Sequence, residues 1–173
     1  ETVENAYVLT ICEEKSNQET EQLAYLLEHL AEYNFPTSKV IRSKEGQSTT
    51  LWNDKPIMLK AYLDGKIMNP LPAHLLELCG QRLAQLHRIP APGYLPRDLC
   101  FGLNQFHEVE LYAADSEFHH WLKEITGLLN KHISSDLSKA LIHSDIFDSN
   151  VIINPDETDA TIMDFEEACH YYR

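Results

Sequence analysis

The sequence predicts an α+β fold made of two lobes, and three observations support this prediction. Strand-like segments are concentrated before residue 64, whereas helical patterns dominate after it. Apolar residues make up 43% of the 173 residues, which is enough for a sizeable hydrophobic core. A turn at Asp64-Gly65, followed by a proline-containing linker, separates the two parts. We therefore predict a strand-rich lobe over residues 1–63 and a helix-rich lobe over residues 64–173.

The first lobe begins with a β-rich segment over residues 6–12, which predicts a strand. Ser16, followed three residues later by Glu19, matches a capping box and predicts the start of a helix. Leucines then recur at helical spacing until Phe35-Pro36 ends the pattern. Three further strands are predicted, at residues 39–42, 49–52 and 56–63.

The second lobe contains two strong helical patterns. The inward face predicted for the first helix consists of Leu75, Leu76, Cys79, Leu83 and Leu86. The inward face predicted for the second helix consists of Phe118, Leu122, Ile125 and Leu129. Between the two helices the chain is rich in proline and glycine, which indicates a long connecting loop.

Charge and composition narrow the class of partner. Lys and Arg total 14 against 27 Asp and Glu, which gives a formal net charge of -13. This excess of negative charge argues against nucleic acid or an anionic membrane as a binding partner, and it favours a small-molecule substrate. The four scattered cysteines and the lack of a leader pattern in residues 1–4 predict a cytoplasmic protein. The oligomeric state stays open.

The stretch from residue 141 to residue 165 carries the strongest chemical signal. Asp145 follows one apolar run, Asn150 comes five positions later, and Asp164 ends a second apolar run. Phosphoryl transfer from a metal-bound nucleotide needs an acid near the acceptor hydroxyl, together with an amide oxygen and a carboxylate on the metal. Asp and Asn are also common in turns, but this ordered set favours the catalytic interpretation. His143 is expected to brace the loop by hydrogen bonds.

Residues 142–150 followed by residues 162–165 resemble the signature of the aminoglycoside phosphotransferase and choline kinase superfamily, whose members share the protein-kinase-like fold. The segment Tyr7-Val8-Leu9-Thr10 and the helix that runs to Phe35-Pro36 are most similar to the homoserine kinase branch. The resemblance implies that ATP and Mg²⁺ are the cofactors. It also implies that the fold is incomplete at both ends, because the strands that precede this segment and the helices that follow it are not in the sequence.

The resemblance also implies roles for individual residues. Asp145 would be the catalytic base, and Asn150 and Asp164 would bind magnesium. The backbone of a hinge that meets adenine would be formed by Ala61, Tyr62 and Leu63. Glu166 has two open interpretations, a position in the cleft near the metal or acceptor amine and a role in bracing the loop.

One departure from the superfamily pattern bears on the function. Many members carry a phosphate-binding lysine where this chain has Thr10, although the homoserine kinase branch often has threonine there. The predicted acceptor is therefore homoserine, in threonine biosynthesis. The alternatives are choline, ethanolamine, methylthioribose or an aminoglycoside with the same chemistry. A kinase-like binding module without catalysis is a further alternative.

Overall fold

The computed structural model describes residues 5–134 and 136–173. Its strands are β1 (Tyr7–Ile11), β2 (Thr50–Trp52), β3 (Lys55–Ala61), β4 (Lys66–Ile67), β5 (Lys139–Ile142), β6 (Val151–Ile153), β7 (Ala160–Ile162) and β8 (Cys169–Tyr172). Its helices are α1 (Asn17–Glu32), α2 (Leu76–Leu86), α3 (Val109–Ala113) and α4 (Glu117–His132). This mixture confirms the predicted α+β class. Residues 1–4, from which the lack of a leader was judged, lie outside the described residues.

The first sheet is antiparallel and has β3 at its centre, between β1 and β2. The prediction of a strand over residues 39–42 was wrong, because only Val40 forms a bridge, opposite Lys60. A tight turn after Ser43 leads the chain away from the sheet edge, so the segment is too short to form a ladder. The strand predicted over residues 56–63 ends at Ala61, so the last two residues of that prediction lie in the connection that follows.

The first helix, α1, confirms the capping box. The Ser16 backbone N–H donates to Glu19 Oε2 at 2.8 Å, and the Glu19 N–H donates to Ser16 Oγ at 3.3 Å. These bonds satisfy backbone donors that a helix start would otherwise leave unpaired. The leucines of the predicted apolar face are buried: Leu23, Leu26, Leu27 and Leu30.

The second part contains two small antiparallel sheets, β4-β6-β7 and β5-β8. The sequence did not predict β4 or β8, since each is short and pairs with a distant segment. Among the described residues no helix is long and apolar enough to cross a membrane.

Two residues predicted to face inward are exposed. Leu76 is 55% exposed because a 3-10 turn precedes α2 and shifts the start of the helix, which leaves Leu75 as the buried residue. Phe118 is 54% exposed, and the adjacent His119 is buried in its place. The His119 ring accepts a hydrogen bond from the Asp115 N–H and contacts Glu110, so its polar atoms are satisfied inside.

One hydrophobic cluster joins the two parts of the chain. It contains the buried face of α1 and Met58 of β3, together with Leu141, Ile162 and Phe165 from the second part. The Phe165 ring contacts the Phe35 ring edge-on, with centroids 5.9 Å apart. This packing holds the segment after β7 against the first part. The boundary at residue 63 between two lobes stays a prediction.

Candidate active site

The loop between β5 and β6 holds three of the residues singled out in the sequence: His143, Asp145 and Asn150. The Asn150 side-chain amide donates to the Asp145 carbonyl oxygen at 2.9 Å and lies 3.4 Å from Asp145 Oδ2. The Asn150 backbone oxygen accepts a hydrogen bond from the Met163 N–H at 3.0 Å. Asn150 therefore ties the Asp145 loop to the end of β7, one residue before Asp164.

His143 makes a second link between the same segments. It is 1% exposed, and its Nε2 lies 2.9 Å from the Met163 carbonyl oxygen, to which it donates. Its Nδ1 accepts from the Asp145 N–H at 3.3 Å, so the ring is the neutral Nε2–H tautomer. Burial lowers the pKa of His143, against weaker opposing effects of its bond to Met163 and of nearby carboxylates. The structure therefore supports the predicted bracing role.

Asp164 directly follows Met163 and is exposed. Its φ angle is 66°, and that of Ser144 is 72°, so both residues adopt the left-handed conformation. Non-glycine residues adopt it at a cost in free energy, and such residues are common at functional sites. Both lie in the segments that the bonds of Asn150 and His143 hold together.

The oxygen donors at this site match the preferences of magnesium. Because the Asn150 amide nitrogen is used on Asp145, the carbonyl Oδ1 is the group it can offer to a metal. The Asp164 carboxylate is the second oxygen donor. In the described ranges no cluster of three His, Cys, Asp or Glu side chains could bind a metal by itself. Mg²⁺ in proteins is commonly held by one or two carboxylates, with phosphate and water as the other ligands.

A cavity of about 350 Å³ lies beside these segments. Its lining comprises Val8, Ser38, Lys60, Ala61, Tyr62, Leu63, Gly65, Ile67, Ile152 and Met163. The three residues predicted as a hinge therefore line one cavity together with Met163, the neighbour of Asp164. Most of the lining is apolar, as is usual for pockets that bind small organic molecules.

Glu166 comes two residues after Asp164 and pairs with Lys15. The two charged groups are 3.6 Å apart, and Lys15 Nζ also donates to the Glu166 backbone oxygen at 3.3 Å. Both residues line a second cavity of about 110 Å³, where burial raises the pKa of Tyr94 to about 12. These contacts favour the bracing interpretation of Glu166. Lys15 was missed, because the two residues are 151 positions apart in sequence.

Comparisons with known proteins identify the family of the chain. The whole chain, residues 1–173, matches the family model described as the phosphotransferase enzyme family. A homoserine kinase of Methylobacillus flagellatus is 29% identical over 174 residues, and one of a Caulobacter species is 30% identical over 181 residues. These alignments cover 95% and 98% of this chain, but only 52% and 55% of the two relatives. The chain thus spans about half the length of the curated relatives it matches.

Solved structures of kinases share the fold. A spectinomycin phosphotransferase in complex with ADP and spectinomycin matches 99% of this chain and 60% of its own, with a TM-score of 0.70 and 15% identity. An ethanolamine kinase of Plasmodium vivax matches 96% of this chain and 51% of its own, with a TM-score of 0.63 and 18% identity. Identities this low show the fold alone, and they confirm the predicted protein-kinase-like architecture.

Proposed function

The chain belongs to the phosphotransferase enzyme family, whose model matches all 173 residues, and from that premise we propose that it is the nucleotide-binding and catalytic part of an ATP-dependent small-molecule kinase. The reaction transfers the γ-phosphate of ATP to a hydroxyl group. One observation carries the proposal: hydrogen bonds from Asn150 and His143 hold Asp145 and the residue before Asp164 together, next to an apolar cavity.

Asp145 acts on the acceptor in this proposal. Its carboxylate orients the acceptor hydroxyl and accepts the proton as the bond to phosphorus forms. The bonds of Asn150 and His143 to the Asp145 backbone restrict the loop, so the carboxylate is held ready for the reaction. Most of the rate enhancement then comes from positioning and from stabilisation of charge.

Asn150 and Asp164 are the proposed magnesium ligands, through Oδ1 and the carboxylate. A Mg²⁺ ion held by these two residues would offset part of the negative charge of the nucleotide phosphates. The link from the Asn150 backbone oxygen to Met163 fixes how far apart the two ligand-bearing segments lie. His143 contributes by holding the same two segments, and it moves no proton.

The adenine ring is assigned to the cavity beside Ala61, Tyr62 and Leu63. Ala61 is the last residue of β3, and Tyr62 and Leu63 follow it. The Ala61 N–H donates to the Lys39 carbonyl oxygen at 2.8 Å and the Tyr62 N–H to the Ala6 carbonyl oxygen at 3.1 Å, so a ring edge would pair with the other backbone groups of this segment. Apolar side chains from both parts of the chain line the same space, Val8 from the first part and Ile152 from the second. This position agrees with a cleft between the proposed lobes over residues 1–63 and 64–173.

Homoserine is the proposed acceptor, which would place the enzyme in threonine biosynthesis and in the cytoplasm. The curated relatives at 29% and 30% identity are both named homoserine kinase. Homoserine carries an amine, and the formal net charge of -13 suits such an acceptor. Thr10, in the strand where many members of the superfamily carry a lysine, also agrees with this branch.

An acceptor screen on the full-length protein tests the proposal. ATP consumption is followed with homoserine, choline, ethanolamine, methylthioribose and an aminoglycoside, with and without magnesium, and the phosphorylated product is identified by mass spectrometry. We expect magnesium-dependent transfer, with homoserine giving the highest kcat/KM. Transfer to another acceptor in preference to homoserine would refute homoserine as the substrate but would leave the proposed phosphoryl transfer intact. ATP binding without transfer to any acceptor would favour a binding module.

A further inference from the structure

The nucleotide cavity contains a lysine to which the proposed function gives no role. Among the described residues that line the cavity with the hinge residues, Lys60 in β3 is the single charged one. Lysine is uncommon in the interior of strands, and β3 is the central strand of its sheet. The stability of the sheet therefore does not explain an ammonium group at this position.

The register of the sheet places Lys60 on the face of the cavity. Lys60 pairs with Val8 of β1, and Val40 bridges to it from the other side. Directly paired residues point to the same face of a sheet, and Val8 lines the same cavity. Lys60 therefore lies between two valines, with no charged side chain directly opposite it on either side.

The same register relates Lys60 to Thr10. Thr10 lies two residues after Val8 and pairs with Met58, so it shares the face of Lys60 and is its diagonal neighbour. Diagonal neighbours in an antiparallel pair are about 7–8 Å apart, a distance that long side chains can span. The amine of Lys60 can therefore reach the space in front of Thr10, on the strand next to its own.

Lys60 also has no acidic partner among residues 5–134 and 136–173. In the described part of the chain, lysines form ion pairs at Lys15, Lys55, Lys66 and Lys123, and none of these pairs includes Lys60. A partly buried ammonium without a partner costs free energy unless a ligand supplies the counter-charge. The cavity that it lines is the one assigned to ATP, a polyanion.

From this geometry we infer that Lys60 binds the phosphates of the nucleotide, in place of a lysine on the strand that carries Thr10. The inference rests on the proposed function, because it requires ATP in the cavity beside Ala61. The ammonium group donates charge-assisted hydrogen bonds to phosphate oxygens and offsets part of their charge. The stem of the side chain packs between the two valines on the same face.

Nucleotide binding in the full-length protein tests the inference. Calorimetric titrations with ATP and with adenosine compare wild type with Lys60→Met, which keeps an unbranched stem and removes the charge. We expect Lys60→Met to raise the dissociation constant for ATP by about tenfold or more, which is the loss expected for a hydrogen bond between charged groups. The dissociation constant for adenosine should change by less than about twofold. Lys60→Arg should retain most of the ATP affinity. The matched control is Lys55→Met, in the same strand but paired with Glu13 at the surface, and it should bind both ligands like wild type.

Each other outcome has a distinct meaning. If Lys60→Met weakened the binding of ATP and of adenosine equally, the side chain would act by packing, and the inference would be overturned. Unchanged ATP affinity would show that the amine does not contact the phosphates, with the same consequence. Failure of the wild-type protein to bind either ligand would instead refute the nucleotide site itself, and with it the proposed function.

Discussion

The replacement of His143 by glutamine tests how the active-site segments are held together. The glutamine amide can still donate to the Met163 carbonyl oxygen, as His143 Nε2 does at 2.9 Å. It offers no acceptor in the place of Nδ1, so the Asp145 N–H loses its partner. A lost bond of this kind costs about 1–3 kcal/mol when the group is shielded from water. The ring contact with Phe165, at 4.6 Å between centroids, contributes about 0.5–1.5 kcal/mol more.

We therefore expect His143→Gln to lower the free energy of unfolding by about 1.5–4.5 kcal/mol in urea denaturation at pH 7.5. This is a large part of the 5–15 kcal/mol by which domains are typically stable. Turnover should fall by about tenfold to a hundredfold, because the Asp145 loop is less well positioned. His132→Gln, at the exposed end of α4, is the matched control and should unfold like wild type.

The pH dependence of stability separates His143 from other contributions. Burial lowers the pKa of His143 in the folded state, so the unfolded chain binds more protons between that value and about 6.5. The contribution of His143 to stability is therefore fully present above about pH 6.5 and is lost as the pH falls below that value. The free energy of unfolding should fall by up to about 1.4 kcal/mol between pH 7.5 and 5.5 for this reason. His143→Gln should lack this part of the pH dependence. A variant with the stability and pH dependence of wild type would refute the reasoning.

Two further substitutions test the loop and the cavity. Asn150→Asp places an oxygen where the amide now donates to the Asp145 carbonyl at 2.9 Å, so stability should fall by about 1–3 kcal/mol in urea. Its turnover should stay low at saturating magnesium, and full recovery there would contradict the bracing role of Asn150. Gly65→Ala should cost at least about 1–3 kcal/mol, because φ is 139° and a Cβ would collide with the Ile153 carbonyl oxygen. The control is Gly80→Ala on α2, where the added Cβ would meet no other atom, and it should stabilise the protein by up to about 1 kcal/mol. Similar stability of the two variants would argue against the close approach at Gly65.

Local sequence signals predicted the parts of the fold that depend on local interactions. The start of α1 followed from Ser16 and Glu19, which bond to each other within one turn. The order of Asp145, Asn150 and Asp164 followed from the sequence because two apolar strands, β5 and β7, directly precede the loop and the second aspartate. The comparisons with known proteins confirm the family and the fold, while the roles of the three residues stay predictions.

Interactions between distant segments could not be predicted in the same way. The short strand β4 exists because it pairs with β6, which lies more than 80 residues later. His119 is buried in place of Phe118 because Glu110 on α3 satisfies its ring. The position of Lys60 in the cavity depends on the register between β3 and β1, and composition alone says nothing about that register.

The most direct test of the account is the turnover of Asp145→Asn in the full-length protein with homoserine, ATP and magnesium, measured beside its ATP affinity. Asparagine keeps the backbone oxygen that accepts from Asn150, so the loop should stay in place. The account predicts a loss of about 10²–10⁴ in kcat with the ATP dissociation constant nearly unchanged. A kcat within about twofold of wild type would contradict the assignment of Asp145 as the base, and with it the proposed mechanism.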